Sequence, residues 1–322
     1  MAKPLGVKYV CSACGAISAS WTGRCRNCGE WNTLQQQIDS SSAAASGGNK
    51  LKTESITKAA TKKTPRISTF LSEVDTVLGG GLVAGSVSLL AGQPGIGKST
   101  LLLQIAYNAA RRWRVLYISC EESARQVALR ADRLGATHKD LQLATSTIAN
   151  DIAATISEGN FDVVVVDSIQ AVAVNEISSA AGTISQITNA TQLLSAAAKA
   201  TGTALLLIGH VTKEGSIAGP KLLEHMVDVV LQLEGDRYGG FKVLRATKNR
   251  YGATSEAGIF EMTEQGLVAI DNPSAALLAE RQASDGSIVH ATIEGSRPLL
   301  VEIQALVNPT SYGYPKRTAS GI

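Results

Sequence analysis

The stretch Gly92-Gln93-Pro94-Gly95-Ile96-Gly97-Lys98-Ser99-Thr100 constrains this chain more than any other. It fits G-x-x-x-x-G-K-[ST], with the apolar run "SVSLLA" before it and the helical pattern "STLLLQIAYNAARR" after it. A glycine-rich turn between strand and helix aims consecutive backbone N–H groups at one point, and the positive end of the helix dipole adds to them. Such a turn suits phosphate. The motif assigns the β-phosphate of a nucleotide to the N–H groups of Gly95, Gly97 and Lys98. It assigns the β- and γ-oxygens to Lys98 and a magnesium ion to the Ser99 hydroxyl. The expected strand covers 86–91 and the expected helix 99–110.

The rest of 65–272 repeats that alternation. The runs "VLYISC", "FDVVVVDS", "TALLLIGH", "VDVVLQL" and "FKVLRATK" are rich in β-branched and aliphatic residues and are separated by helical patterns. Runs buried on both faces predict an α/β domain with a mostly parallel sheet and helices on each side. The last two runs, joined by "EGDRYGG", read as an antiparallel hairpin at the sheet edge. Four valines followed by Asp167 place a carboxylate at a strand's C-terminal end, where it can hold the magnesium shell, and Asp162 reads as a solvated strand start. "YISCEES" puts Glu121 and Glu122 at the end of another strand. Either can orient and deprotonate a water, or both can be ordinary acids at a helix start. His210 ends "LLLIGH", where it is either structural or a sensor of the γ-phosphate. Cys120 reads as a small buried residue.

Four of the five cysteines fall in the first 28 residues, as "CSACG" and "CRNCG" with nine residues between them. Cys11, Cys14, Cys25 and Cys28 supply four thiolates from two tight turns, a set that suits tetrahedral Zn²⁺ with no open position. A redox dithiol pair is the competing reading. Trp21 and Trp31 are expected to form the core of this unit, residues 1–34. Its excess of Lys3, Lys8, Arg24 and Arg26 over Glu30 fits a nucleic-acid surface and a merely solvated face equally well. Residues 35–64 are rich in Ser, Ala, Thr and Lys without an aromatic and read as a flexible linker. No run approaches the ~18 apolar residues of a membrane helix. "MAKPLGVKYVC" has no apolar core of a secretory signal, so a cytoplasmic, non-membrane protein is expected. The net charge of +3 permits nucleic acid without requiring it. Beyond Pro273, "GSIVHATIEGSRPLLVEIQALVNPT" reads as strands with a charged turn between them. "LRATKNRYGAT" ends a strand in two cations, Lys248 and Arg250, whose purpose the local pattern leaves open.

These residues together resemble the bacterial RadA/Sms family, DNA repair and recombination ATPases with a RecA-like core. The resemblance runs through "WTGRCRNCGEWNT", "EVDTVLGGGLVAGSVSLLAGQPGIGKSTLLLQ", "YISCEES", "VVVVDSIQ", "IGHVTKEGSIAGPK" and "KNRYG" to "RPLLVEIQALV", nearly the whole chain. Tyr251 stands where the family usually has Phe, and the stretch after Pro273 is shorter than the family's Lon-protease-like domain. The resemblance implies a RecA-like P-loop domain over 65–272, an N-terminal zinc finger and the truncated start of a Lon-like domain over 273–322.

It further implies Glu121 as catalytic base, His210 as γ-phosphate sensor, and residues 172–187 and 212–221 as DNA-facing loops, with Lys213 and Lys221 on DNA phosphates. Lys248 and Arg250 then reach the γ-phosphate of a neighbouring subunit, with DNA contact as the other role for them. The implied activity is a DNA-dependent ATPase that moves on single-stranded DNA and promotes branch migration as a homohexameric ring. It uses ATP/ADP, Mg²⁺ and Zn²⁺. The implied partners are single-stranded and branched DNA, the recombinase RecA and the replicative helicase. The alternative is an ATP-switched scaffold that recruits recombinase or replisome proteins through its zinc module. An ATP-dependent protease is disfavoured, because 273–322 offers no Ser-Lys nucleophile pair.

Overall fold

The computed structural model describes residues 7–38, 53–57, 66–210, 222–235, 241–279, 281, 284–309 and 313–319. The chain divides into two units, Met1–Lys63 and Thr64–Ile322. In the first, β1 (Val7–Cys11) pairs antiparallel with β2 (Ile17–Ser18) and with β3 (Leu34–Ile38). Cys11, Cys25 and Leu34 are buried, with Tyr9 and Ala16 packed on them. Trp21 and Trp31 are not the core expected of them: they are 57% and 68% exposed. The buried centre of this small unit is made of Cys11, Cys25 and Leu34, with Cys14 and Cys28 exposed, and the indoles lie outside it.

In the second unit, β4 (Arg66–Ile67) and β5 (Leu82–Val83) form a short ladder on either side of α1 (Ser72–Leu78). The chain then alternates through β6 (Val87–Gly92), α2 (Lys98–Ala109), β7 (Val115–Ser119), α3 (Ala124–Arg133), β8 (Leu141–Thr145), α4 (Ala149–Gly159), β9 (Val163–Asp167), α5 (Ile184–Thr201) and β10 (Ala204–His210). After α6 (Leu222–Met226) come β11 (Val229–Gly235), β12 (Phe241–Asn249), β13 (Ala257–Thr263) and β14 (Gly266–Ala269). The sheet order is β14-β13-β12-β11-β6-β10-β9-β7-β8. The six strands from β11 to β8 run parallel, and β12, β13 and β14 extend them antiparallel.

Alternate residues of the central strands build two cores. Val163, Val165, Leu206 and Ile208 face α2, while Val164, Val166, Leu205 and Leu207 join residues of α4 and α5. This two-sided burial is why β9 and β10 read as unbroken apolar runs. Each fully buried valine contributes roughly 1.5–3 kcal/mol over an exposed one. At the edge, β8 shows a mostly exposed pattern. The start of α3 is fixed by a capping box, in which Ser123 accepts from Gln126 N and the Gln126 side chain accepts from Ser123 N.

The hairpin of β11 and β12 forms as expected but not at the edge, since β13 and β14 lie outside it. The sequence hides β13 because its second half, Glu261-Met262-Thr263, is exposed on both faces and shows no alternation. After α7 (Pro273–Leu278), β15 (Ser287–Glu294) and β16 (Arg297–Gln304) make a separate two-stranded ladder. It is anchored by Arg297, which donates to both carboxylate oxygens of buried Glu73 at 2.7 and 3.0 Å. Among the described residues no helix is long and apolar enough to cross a membrane.

Candidate nucleotide site and metal centre

The P-loop joins β6 to α2. Gly95 (φ 78°) and Gly97 (φ 115°) lie in the left-handed region, which glycine enters without strain. A side chain at Gly92 would come within 2.6 Å of Leu233 O. Gln93, Pro94 and Gly95 are exposed, while Ile96, Ser99 and Thr100 are half-buried. Lys98 is buried and donates from Nζ to Gly92 O and Gln93 O, both at 2.9 Å. Burial lowers its pKa, partly offset by the negative charges of Asp167 and Glu121. The ammonium is therefore held in the loop that a phosphate would enter, facing two carboxylates.

Asp167 ends β9, level with Ser119 at the end of β7. Its Oδ2 accepts from Tyr117 Oη at 2.5 Å. Tyr117 is 1% exposed, and burial followed by the Asp167 charge pushes its pKa well above the ordinary value, so the phenol stays a donor. Ser168 Oγ donates to Glu121 Oε1. Glu122 instead forms a two-pronged pair with Arg130 Nη1 and Nη2 at 2.9 and 2.5 Å. The two adjacent acids thus face different partners. The backbone of His210 pairs with Gly92 across β10 and β6, beside the mouth of the loop. Asp162 caps the turn before β7, accepting from Arg114 N at 2.9 Å. Cys120 is buried, and desolvation pushes its thiol to about 12.

The structure does not bring Lys248 and Arg250 to this loop. Lys248 lies opposite Val230, and Val230 opposite Leu89, three residues before Gly92. At ~3.3 Å per residue and ~4.8 Å per strand, that is roughly 14 Å from the loop, toward the other end of the sheet. Lys248 Nζ donates to Glu224 O and Val227 O at 2.6 and 2.8 Å, the carbonyls at the end of α6. Arg250 Nη1 pairs with buried Asp228 at 3.0 Å, and its side chain is 53% exposed. Lys213 and Lys221 lie outside the described residues.

Tyr117, Ser168, Arg130 and Asp228 were absent from the sequence reading. Tyr117 carries no signal, being one more large residue in a buried strand. Asp228 did carry one, an acid inside the apolar run "MVDVVL".

In the small unit, the Sγ atoms of Cys11, Cys14, Cys25 and Cys28 all lie within 4.8 Å of one another. Two Sγ pairs, Cys11 with Cys28 and Cys14 with Cys25, are 3.7 Å apart. A tetrahedron of ~2.3 Å Zn–S bonds has edges of about 3.75 Å, so the cage fits zinc. The two knuckles are built alike: Gly15 N donates to Cys11 O and Gly29 N to Cys25 O, and both glycines have positive φ. Thr33 Oγ1 lies 3.2 Å from Cys11 Sγ, and Asn27 Nδ2 donates to Cys14 Sγ at 3.5 Å. These second contacts orient the thiolates.

Comparison with known proteins gives two family matches. Residues 53–216 match a family described as an AAA domain, and residues 9–36 match one described as a rubredoxin metal binding domain. The DNA repair protein RadA of Bacillus subtilis (strain 168) is 49% identical over 98% of this chain and 71% of its own length. RadA of Pseudomonas aeruginosa is 45% identical over the same shares. Among solved structures, the RadB recombinase aligns with a TM-score of 0.51 at 23% identity, over 64% of this chain and all of its own. A KaiC-like protein from Pyrococcus horikoshii OT3 aligns with a TM-score of 0.54 at 19% identity, over 64% of this chain and 99% of its own. These likenesses establish a RecA-like fold for the larger unit. With a zinc-binding four-cysteine module ahead of that domain in sequence, the chain belongs to the family of DNA repair protein RadA.

Proposed function

We propose that the chain is a DNA-dependent ATPase of homologous recombination and DNA repair. It assembles into a ring, taken as a homohexamer, that moves along single-stranded DNA and drives branch migration, with RecA and the replicative helicase as protein partners in the cytoplasm. Gly92–Thr100 hold the phosphates of ATP. Lys98 leaves the Gly92 and Gln93 carbonyls to neutralise the β- and γ-oxygens, and Ser99 and Asp167 hold Mg²⁺. When bound, the magnesium ion neutralises charge across the β- and γ-phosphates. Glu121, oriented by Ser168, accepts the proton of the attacking water. His210 senses the γ-phosphate from the neighbouring strand. Lys213 and Lys221 contact DNA phosphates.

The observation that carries the ring is the register of β12. Lys248 and Arg250 sit at the opposite end of the sheet from the P-loop of their own chain. A cation pair so placed serves a nucleotide only on another copy. Arg250 then exchanges Asp228 for the neighbour's γ-phosphate, an effect of ~10³–10⁵ in rate for such arginines. DNA contact is the competing role for this pair, favoured by the 53% exposure of Arg250.

Mixing decides between them. Arg250→Ala and Lys98→Ala chains are each expected to be inactive alone. In mixed head-to-tail rings about a quarter of the interfaces regain one intact loop and one intact arginine, so ATP hydrolysis returns. No recovery at any ratio removes the shared site.

A further inference from the structure

Trp21 and Trp31 present 57% and 68% of their surface to solvent. They flank Gly23: a side chain there would begin 3.6 Å from the Trp31 ring and 4.0 Å from the Trp21 ring. Trp31 is held in place. Its backbone bridges to Arg24, and Asn32 N donates to Gly23 O at 2.8 Å. The Arg24 guanidinium lies 5.8 Å from the Trp31 ring centroid. Arg24 is itself pinned, because its Nε donates to Gly29 O at 2.6 Å. Gly29 is the glycine of the second cysteine knuckle. The metal-binding turn thus sets the guanidinium, and the guanidinium backs the indole.

Two exposed indoles cost hydrophobic free energy in a unit this small, so a ligand that covers them is the natural counterpart. Arg24 and Arg26 outweigh Glu30 across 9–36, which favours an anionic ligand. The sequence neighbours of the indoles are Ser20, Thr22, Gly23, Glu30 and Asn32. They are small or polar rather than the apolar, water-excluding surround of a protein hot spot. Fixed aromatic faces beside a cation are how single strands are held without regard to sequence, by stacking on bases.

We propose that Trp21, Gly23, Arg24 and Trp31 form a stacking platform for unpaired bases of single-stranded DNA. It rests on the reading of the chain as a DNA-acting protein and adds a contact that lies in the metal module rather than in the RecA-like domain. The test titrates the full chain with dT oligomers and reads indole quenching and affinity over a series of NaCl concentrations. Variants are Trp21→Ala, Trp31→Ala, Trp31→Leu and Trp31→Phe, with zinc content measured for each. Quenching is expected in the wild type. The alanine and leucine variants are expected to lose about tenfold or more in affinity, and the phenylalanine variant to keep most of it. The slope of log affinity against log salt is expected to stay unchanged, since stacking releases no counterions.

Zinc-loaded variants that bind dT as tightly as the wild type overturn the platform, and a platform that serves a protein partner gives that result. A salt slope that falls along with affinity overturns it too, since it marks a phosphate contact. Should an alanine variant lose its zinc, Trp31→Leu against Trp31→Phe decides, because only the aromatic face differs. A wild-type chain that binds no dT oligomer brings down the DNA reading and the platform together.

Discussion

A phenol holds the carboxylate at the end of β9. Tyr117 Oη donates to Asp167 Oδ2 from within the core, and the charge of that carboxylate acts on Lys98. Tyr117→Phe removes one hydroxyl and almost no volume. It is expected to raise the Mg²⁺ concentration for half-maximal hydrolysis by about tenfold, the scale of a hydrogen bond to a charged group. Nucleotide affinity without Mg²⁺ and the melting temperature should hold steady; if both fall in proportion, Tyr117 only supports the fold.

Lys98 leads to a second prediction at this scale. Its folded pKa is lowered by burial, and incoming phosphates favour its charged form. Between its lowered pKa and the ordinary lysine range the free protein therefore holds fewer protons than the nucleotide complex. ADP binding should take up a proton at alkaline pH and none at neutral pH, so affinity falls as pH rises. Calorimetry in two buffers of different ionisation enthalpy reads this directly, and equal heats at every pH up to the ordinary lysine range would refute it.

At the level of elements, the loop between β6 and α2 is shaped by what packs around it. A side chain at Gly97 would begin 2.6 Å from Met262 Cε and 3.4 Å from Leu267, on β13 and β14. Gln104 of α2 locks to Leu267 by two hydrogen bonds of 3.1 and 3.0 Å. Those edge strands thus wall the P-loop, and Gly97→Ala should weaken nucleotide binding, because alanine is strained at φ 115° even where the Met262 methyl gives way. The hairpin of β15 and β16 is tied down by the Arg297–Glu73 pair, by Ser296 Oγ donating to Glu256 and by Leu300 N donating to Ser274 Oγ. Arg297→Ala leaves Glu73 buried without its cation and is expected to cost about 3 kcal/mol in urea unfolding. Glu73→Gln combined with Arg297→Met should recover much of that loss; a double variant as unstable as the single one would mean that packing, not the pair, anchors the hairpin.

For the whole molecule, a site completed by a neighbour ties turnover to concentration. ATP hydrolysis per chain is expected to rise with protein concentration and to level off once rings form, and Arg250→Ala should remove the rise. Constant turnover on dilution to the monomer would contradict it. The sequence alone determined the P-loop, the parallel core and the cysteine cage, because each depends on local spacing: a strand–glycine–helix junction, runs buried on both faces, and two knuckles of fixed length. Only the tertiary structure decided the pairings between distant strands. Register carried Lys248 and Arg250 away from their own loop, brought Ser168 to Glu121 and set Tyr117 beside Asp167, while the helix α3 brought Arg130 back to Glu122. Only the folded metal module showed that Cys11, Cys25 and Leu34 form its interior while Trp21 and Trp31 face outward, since hydropathy ranks an indole as core and says nothing about whether a small unit has room for it.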